Sequence, residues 1–196
     1  MADLKEILHA QLRVQRTALR HKLDGISERQ ARLPRTRTTT NLLGLLKHVA
    51  CCEAGYFGEV FDRPSGIPMP WEAPGASMAD DLDLFATEDE TMSDVLTFAD
   101  ACFAHADSTI EELPIDAPGT VPWWRPGSRE VVLGQIISHM ALDEARHAGH
   151  ADILREQLDG TVGLRLPGDN LPDLDDAAWA RRHASLQRIA DGCPDD

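Results

Sequence analysis

The chain has 196 residues, of which 42% are hydrophobic and 27% charged, a composition typical of one globular domain with a proper core. Its formal net charge is −14, because 33 Asp and Glu residues outnumber 19 Lys and Arg residues. Such an acidic chain is a poor partner for nucleic acid or for an anionic membrane surface, since both attract clustered positive charge.

The sequence predicts neither export nor membrane insertion. No stretch approaches the roughly 20 apolar residues of a spanning helix, and the amino terminus lacks a basic segment followed by an apolar one. The four cysteines, Cys51, Cys52, Cys102 and Cys193, form no CxxC pair, which favours reduced thiols. We therefore expect a cytoplasmic protein, a monomer or homodimer, with neither nucleic acid nor membrane as a partner.

Hydrophobic periodicity predicts helices, and no alternating pattern predicts a strand. Apolar residues recur at helical spacing over residues 3–24, and a short helical turn is expected within 27–33. A second long helix is predicted over 38–61, because the run Thr38 to Asn41 offers side chains that cap a helix. The segment LLGLLKHVACCEAGYFGEVF is apolar on more than one side, so this helix should lie deep in the fold.

A long loop is predicted after the second helix. Residues 62–90 are rich in proline, glycine and acidic side chains. Loops of this length in a compact domain are usually functional or mobile. The acidic side chains between Asp80 and Glu90 are expected to be solvated.

Two further long helices are predicted in the second half of the chain. A third should begin at Thr91 or Ser93 and run to about residue 113. After a loop that carries Trp123 and Trp124, a fourth should begin at Ser128, its cap, and run to about residue 158.

These elements together predict an all-α fold, a four-helix bundle with a long crossover loop between helices 2 and 3. Residues 1–165 are assigned to the bundle with its metal site. Residues 166–196 are assigned to a C-terminal extension, with a short helix over about 175–190.

The fourth helix contains the first candidate metal ligands. At about 100° per residue, His139, Asp143, His147 and His150 share one narrow stripe, with Glu144 at its edge. Asp143 and His147 have the four-residue spacing that lets two side chains of one helix reach the same ion. A carboxylate and an imidazole suit Zn²⁺ or another first-row divalent ion. His139 and His150 are expected to line a pocket or to support the ligands.

His48 is the candidate third ligand, because it is the histidine in the apolar middle of the second helix. Three protein ligands leave a position open, which is the pattern of catalytic sites. Two alternatives stay open: His48 as a core histidine bonded to a backbone carbonyl, and Asp143 as a carboxylate that only orients a histidine. Cys52 could add a soft ligand, although a small buried hydrophobe is the preferred interpretation.

Three segments resemble the DinB/YfiT-like superfamily, and most of all its mycothiol-dependent branch, which includes maleylpyruvate isomerase and mycothiol S-transferases. The segments are TTNLLGLLKHVACCEAGYF (39–57), PWWRPGS (122–128) and HMALDEARHAGHADILREQLDG (139–160). The resemblance covers roughly residues 1–165 and implies a four-helix bundle with a divalent-metal site. The implied ligands are His48, Asp143 and His147. Asp143 stands where Glu or His is usual in the family, and Glu144 is the alternative acid.

The resemblance also implies a function: a divalent-metal-dependent transferase, with a role in detoxification. A low-molecular-weight thiol, expected to be mycothiol, would attack a small electrophile or assist an isomerisation. Zinc is the expected ion, with nickel, manganese or iron as alternatives.

Arg146 and Asn41 are expected to bind the thiol, although Arg146 could instead pair with an acid on a neighbouring helix. The loops 62–90 and 114–127 are expected to select the electrophile. Two functions of other classes remain: a non-catalytic metal-binding protein, such as a stress-linked sensor, and a metal-dependent hydrolase.

Overall fold

The computed structural model describes residues 3–194, so residues 1–2 and 195–196 of the two predicted domains lie outside the described part. The fold is mostly helical, as predicted. Its helices are α1 (Leu4–His21), α2 (Glu28–Arg32), α3 (Leu42–Phe57), α4 (Met92–Glu112), α5 (Leu133–Asp159) and α6 (Asp176–Asp191). Single 3-10 turns lie at Glu59–Phe61, Pro70–Glu72 and Met78–Asp80. None of the described helices has the length and apolar character needed to cross a bilayer.

Capping side chains determine where two of the predicted helices begin. The Asn41 side chain accepts a hydrogen bond from the Gly44 N–H at 2.7 Å, so α3 begins at Leu42 rather than at residue 38. Thr91 and Asp94 form reciprocal side-chain to backbone hydrogen bonds, which start α4 at the first of the two expected positions.

Two short strands that the sequence did not predict accompany the helices of this mostly helical fold. β1 (Pro118–Thr120) and β2 (Glu130–Val132) pair antiparallel, with Gly119 opposite Val131. Three residues are too few to show an alternating pattern, so periodicity could not reveal them. The predicted start of the fourth helix at Ser128 was also wrong, because the chain is still extended in β2 and α5 begins only at Leu133.

The long helices enclose a continuous apolar core. Helix α3 packs against α4 and α5, and α1 packs against α5. Nearly all of α3 is buried, as its apolar composition predicts. The fully buried apolar side chains include Leu12, Leu43, Leu46, Phe57, Ile110, Ile136, Ile137 and Met140. In contrast, α6 buries none of its residues, and the division of the chain at residue 165 remains a prediction.

The connection from α3 to α4 folds back onto α3. Lys47, which is 1% exposed, donates hydrogen bonds to the Phe85 carbonyl at 3.0 Å and to the Glu90 carboxylate at 2.8 Å. A buried ammonium group requires such partners, because desolvation of an unpaired charge is very unfavourable. The expectation that the acids of this segment are solvated is therefore wrong for Glu90.

Candidate metal centre

Helices α3 and α5 run in opposite directions and bring a row of polar and aromatic side chains face to face. The imidazole rings of His48 and His147 lie 5.0 Å apart between centroids. Two turns further along α3, the Tyr56 ring lies 5.0 Å from the ring of His139, which precedes His147 on α5. We call this row the α3–α5 ladder, and its three rungs are His48–His147, Cys52–Asp143 and Tyr56–His139.

The structure brings the three predicted metal ligands together. One potential ligand atom from each of His48, Asp143 and His147 lies within 4.8 Å of the others. On α5, the His147 Nε2 atom lies 3.5 Å from the Asp143 Oδ2 atom, as the four-residue spacing predicts. His48 joins them because α3 packs against α5. We refer to these residues as the triad, and binding of an ion by them remains a prediction.

The state of His147 fits a metal-binding role. Its Nδ1 atom is buried without a hydrogen-bond partner among the described residues. Leaving a buried polar atom unpaired costs about 1–3 kcal/mol, which a bound cation could offset. Burial lowers the pKa of His147, despite the opposing effect of Asp143, and the neighbouring His48 lowers it further. The ring is therefore kept in the neutral form that binds metals.

Asp83 is a site residue that the sequence analysis missed. The His48 Nδ1–H group donates a hydrogen bond to Asp83 Oδ2 at 2.6 Å, which directs the Nε2 lone pair away from Asp83. Carboxylates commonly orient metal-binding histidines in this way. The expectation of a solvated acid is thus wrong for Asp83 too. No sequence spacing links residues 48 and 83, so only the folded loop reveals the pair.

Close packing of the loop against the start of α3 holds Asp83 in place. A Cβ atom on Gly44 would lie 1.9 Å from the Leu84 carbonyl oxygen, so only glycine permits this approach. The Asn41 Nδ2 atom donates a hydrogen bond to the same carbonyl at 3.4 Å. Together with the bond from Lys47 to Phe85, these contacts hold the two residues that directly follow Asp83.

Asp83→Ala should weaken the affinity for zinc by about 10- to 100-fold, the usual effect of removing the partner of a metal-binding histidine. Without the carboxylate, the His48 ring loses its fixed orientation. Competition with a chromophoric chelator measures this affinity. Asp89→Ala, an exposed acid in the same segment, is the matched control and should bind zinc like the unmodified protein. Equal affinities for both variants would refute the supporting role of Asp83.

Glu144 does not join the triad, although it adjoins Asp143 in the sequence. Its side chain is 1% exposed and lies beside Glu53 and Arg16. Burial, reinforced by the Glu53 carboxylate, raises the pKa of Glu144 well above its usual range and so favours the protonated form of the carboxyl group. Of the two adjacent acids, Asp143 is the one that the structure places beside the histidines.

A cavity of about 200 Å³ opens onto the histidines of the triad. The lining residues are Thr38, Thr39, Thr40, Asn41, Gly44, Leu45, His48, Leu84, His147 and His150. A larger cavity of about 280 Å³ lies beside the loop Pro64–Glu72, but no histidine or cysteine lines it. The cavity beside the triad is therefore the better candidate for a reactive site.

The two residues predicted to bind the thiol differ in their surroundings. Asn41 lines the cavity beside the triad, but its amide already bonds to backbone groups at the start of α3. Arg146 is exposed, lies outside the cavity lining and forms no ion pair with any residue in 3–194. The alternative of a paired arginine is therefore wrong, and thiol binding by either residue remains a prediction.

Cys52 lies in the middle rung of the α3–α5 ladder, with its Sγ atom 3.6 Å from His48 Nε2. Burial, helped by the negative charge of Asp143, raises the pKa of this thiol to about 12. The protonated thiol is a weak nucleophile, since the thiolate is the reactive form. Cys52 is therefore a poor candidate for the reactive sulfur.

One family of known proteins matches most of the chain. The family model described as MST, Mycothiol-S-transferase, matches residues 7–160. This range extends from α1 to the end of α5, so it includes the triad and Asp83 and excludes α6. Among the curated proteins, none matches the chain.

Proposed function

The chain belongs to the mycothiol-S-transferase family, and we propose that it is a divalent-metal-dependent thiol transferase. The proposed thiol is mycothiol, and its acceptor is a small electrophile or a substrate that the thiol helps to isomerise. One observation supports the metal-dependent part above all others: three potential ligands converge beside a cavity, and one buried ring nitrogen among them lacks a partner.

The proposal extends to the architecture and the location of the protein. Helices α1, α3, α4 and α5 would form the four-helix bundle of the DinB/YfiT-like superfamily, with residues 166–196 as its extension. Mycothiol is a soluble small molecule, so a cytoplasmic protein is the matching expectation.

Zinc is the ion that best suits the triad, because two imidazole nitrogens and a carboxylate are ordinary zinc ligands. Nickel, manganese and iron accept the same atoms and are the alternatives. When bound, such an ion acts as a Lewis acid that lowers the pKa of a substrate thiol, so that the thiolate forms at neutral pH.

The remaining side chains have separate tasks in this proposal. His48 and His147 would each contribute a ring nitrogen to the ion, Asp143 would contribute a carboxylate oxygen, and Asp83 would hold the His48 ring. The threonine-rich edge of the cavity offers hydroxyl groups to the polar part of the thiol. In the transfer, the substrate sulfur forms a bond to the electrophilic carbon. The leaving group departs with the electron pair of its bond, and the thiol proton passes to solvent.

The test combines mycothiol and 1-chloro-2,4-dinitrobenzene with the zinc-loaded protein. We expect conjugate formation and chloride release that depend on the thiol, and a fall to the uncatalysed rate in His147→Ala. His183→Ala, an exposed histidine of α6, is the control and should keep full activity. Loss of the electrophile without any thiol would support a hydrolase instead. Bound zinc without turnover of either kind would support a metal-binding protein.

A further inference from the structure

An aromatic cluster occupies the end of the α3–α5 ladder that lies away from the triad. The Tyr56 ring lies 5.1 Å from Trp123 and 6.2 Å from Trp124 between centroids, and Trp124 lies 5.1 Å from His139. Most of these rings meet edge to face, which is a favourable arrangement for aromatic pairs. We call these four side chains the aromatic cluster.

Hydrogen bonds hold the two indole rings in fixed positions. The Tyr56 hydroxyl oxygen accepts from Trp123 Nε1 at 3.2 Å and from Trp124 Nε1 at 2.9 Å. Arg129 Nε donates to the Trp124 carbonyl at 2.8 Å and so secures the loop. Both indole N–H groups donate to Tyr56 and are not available to a ligand. A ligand can therefore contact only the ring faces and accept a hydrogen bond from the Tyr56 hydroxyl group. Trp123 keeps 49% of its surface exposed and is accessible to such a ligand.

The aromatic cluster is within reach of the triad for a single small molecule. Tyr56 follows His48 by eight residues of one helix, a rise of about 12 Å. Between them lies the rung of Cys52 and Asp143, where Cys52 contributes only a small side chain. An aromatic electrophile that lies along the ladder would therefore contact the aromatic cluster at one end and face a sulfur beside His48 and His147 at the other.

The ring faces of the aromatic cluster determine which ligands it favours, because charges of both signs lie nearby. Asp143 lies in the adjoining rung, and Arg129 lies beside Trp124. Ring faces are partially negative, so they attract neutral or electron-poor rings more readily than anions. These properties match a planar, electron-poor aromatic group.

We propose that the aromatic cluster is the electrophile subsite, and that it binds neutral aromatic electrophiles whose polar acceptor group can receive the Tyr56 hydroxyl hydrogen bond. This inference rests on the proposed thiol transfer and adds to it the class of the second substrate. With 1-chloro-2,4-dinitrobenzene, the thiol sulfur bonds to the ring carbon and chloride leaves with the carbon–chlorine electron pair. The thiol proton passes to solvent.

Binding of 1,3-dinitrobenzene tests the subsite without any reaction, because this ring carries no chloride to displace. Equilibrium dialysis against the zinc-loaded full chain, with no thiol present, gives its Kd. Trp123→Ala should raise that Kd about tenfold, the expected effect of losing one aromatic contact. Trp123→Phe should restore most of the binding. The control Trp179→Ala, on α6, should bind like the unmodified protein.

Kinetics with two electrophiles provide a second readout. Trp123→Ala should raise KM for 1-chloro-2,4-dinitrobenzene about tenfold and leave KM for the aliphatic iodoacetamide unchanged. If 1,3-dinitrobenzene binds through Trp123 but no thiol is transferred, the proposed subsite is supported and the proposed thiol transferase activity is refuted. If thiol transfer occurs but Trp123→Ala changes neither Kd nor the KM for either electrophile, the subsite is overturned. Failure of the unmodified protein to bind 1,3-dinitrobenzene would overturn it as well.

Discussion

Replacing either His48 or His147 with alanine should eliminate stoichiometric binding of a divalent ion. Each change leaves only two of the three side chains whose ligand atoms lie within 4.8 Å of one another. Loss of a partner that merely orients a ligand already weakens affinity by about 10- to 100-fold, so loss of a ligand should cost more than about 100-fold. Elemental analysis of protein purified without a metal-binding tag measures the content directly.

His150→Ala is the matched control for the histidine variants. Its ring lies 5.6 Å from that of His147 and lines the same cavity, but it is exposed and is not part of the triad. This variant should keep about one equivalent of metal. Undiminished metal content in His48→Ala and His147→Ala would eliminate the triad as the binding site.

The two neighbouring acids of α5 give a sharper version of the same test. Asp143→Asn should lose most of the metal, because the charged ligand atom disappears. Glu144→Gln should keep it, because burial favours the protonated form of Glu144 and this residue is not part of the triad. The opposite result would exchange their roles and make Glu144 the ligand.

Arg16→Ala should lower the free energy of unfolding by about 3–5 kcal/mol, the usual cost of leaving a buried charge without its partner. Arg16 is 6% exposed and donates to both Glu53 carboxylate oxygens, at 2.6 and 2.5 Å. It also donates to Asp107 at 2.6 Å. Glu53 is fully buried, so the substitution would isolate its carboxylate in the apolar core.

The loss of stability in Arg16→Ala should depend on pH. Burial raises the pKa of Glu53 even while Arg16 opposes this effect, so removal of Arg16 should raise it further. A carboxyl group with a raised folded-state pKa contributes stability below its unfolded pKa of about 4.3, and that stability is lost as the pH rises. The loss in free energy of unfolding caused by Arg16→Ala should therefore be largest near pH 7 and should decrease as the pH falls toward 4.

Urea unfolding of metal-free protein at several pH values tests both parts of this prediction. Arg20→Ala is the control, because its ion pair with Asp100 is largely solvated. Exposed pairs of this kind contribute less than about 1 kcal/mol. An Arg16→Ala deficit no larger than that of Arg20→Ala would show that the buried pair contributes little to stability.

The positions of the helices follow closely from local features of the sequence. Apolar side chains at helical spacing indicate α1, α3, α4 and α5, because each of these helices buries one face. The same spacing indicates α6, although α6 buries none of its residues. Capping residues such as Asn41 and Thr91 lie where the helices begin. The start of α5 was misplaced, since β2 requires pairing with a distant strand and no local pattern encodes that pairing.

The sequence alone determined two members of the triad as neighbours, because Asp143 and His147 are one turn apart on any helix. His48 could be added only as the polar exception in an apolar helix and by family resemblance. The pairing of His48 with Asp83, the burial of Glu144 beside Glu53 and the convergence of Tyr56 with two tryptophans depended on the tertiary structure. Each unites residues from separate segments of the chain, and only packing determines which distant side chains meet in space.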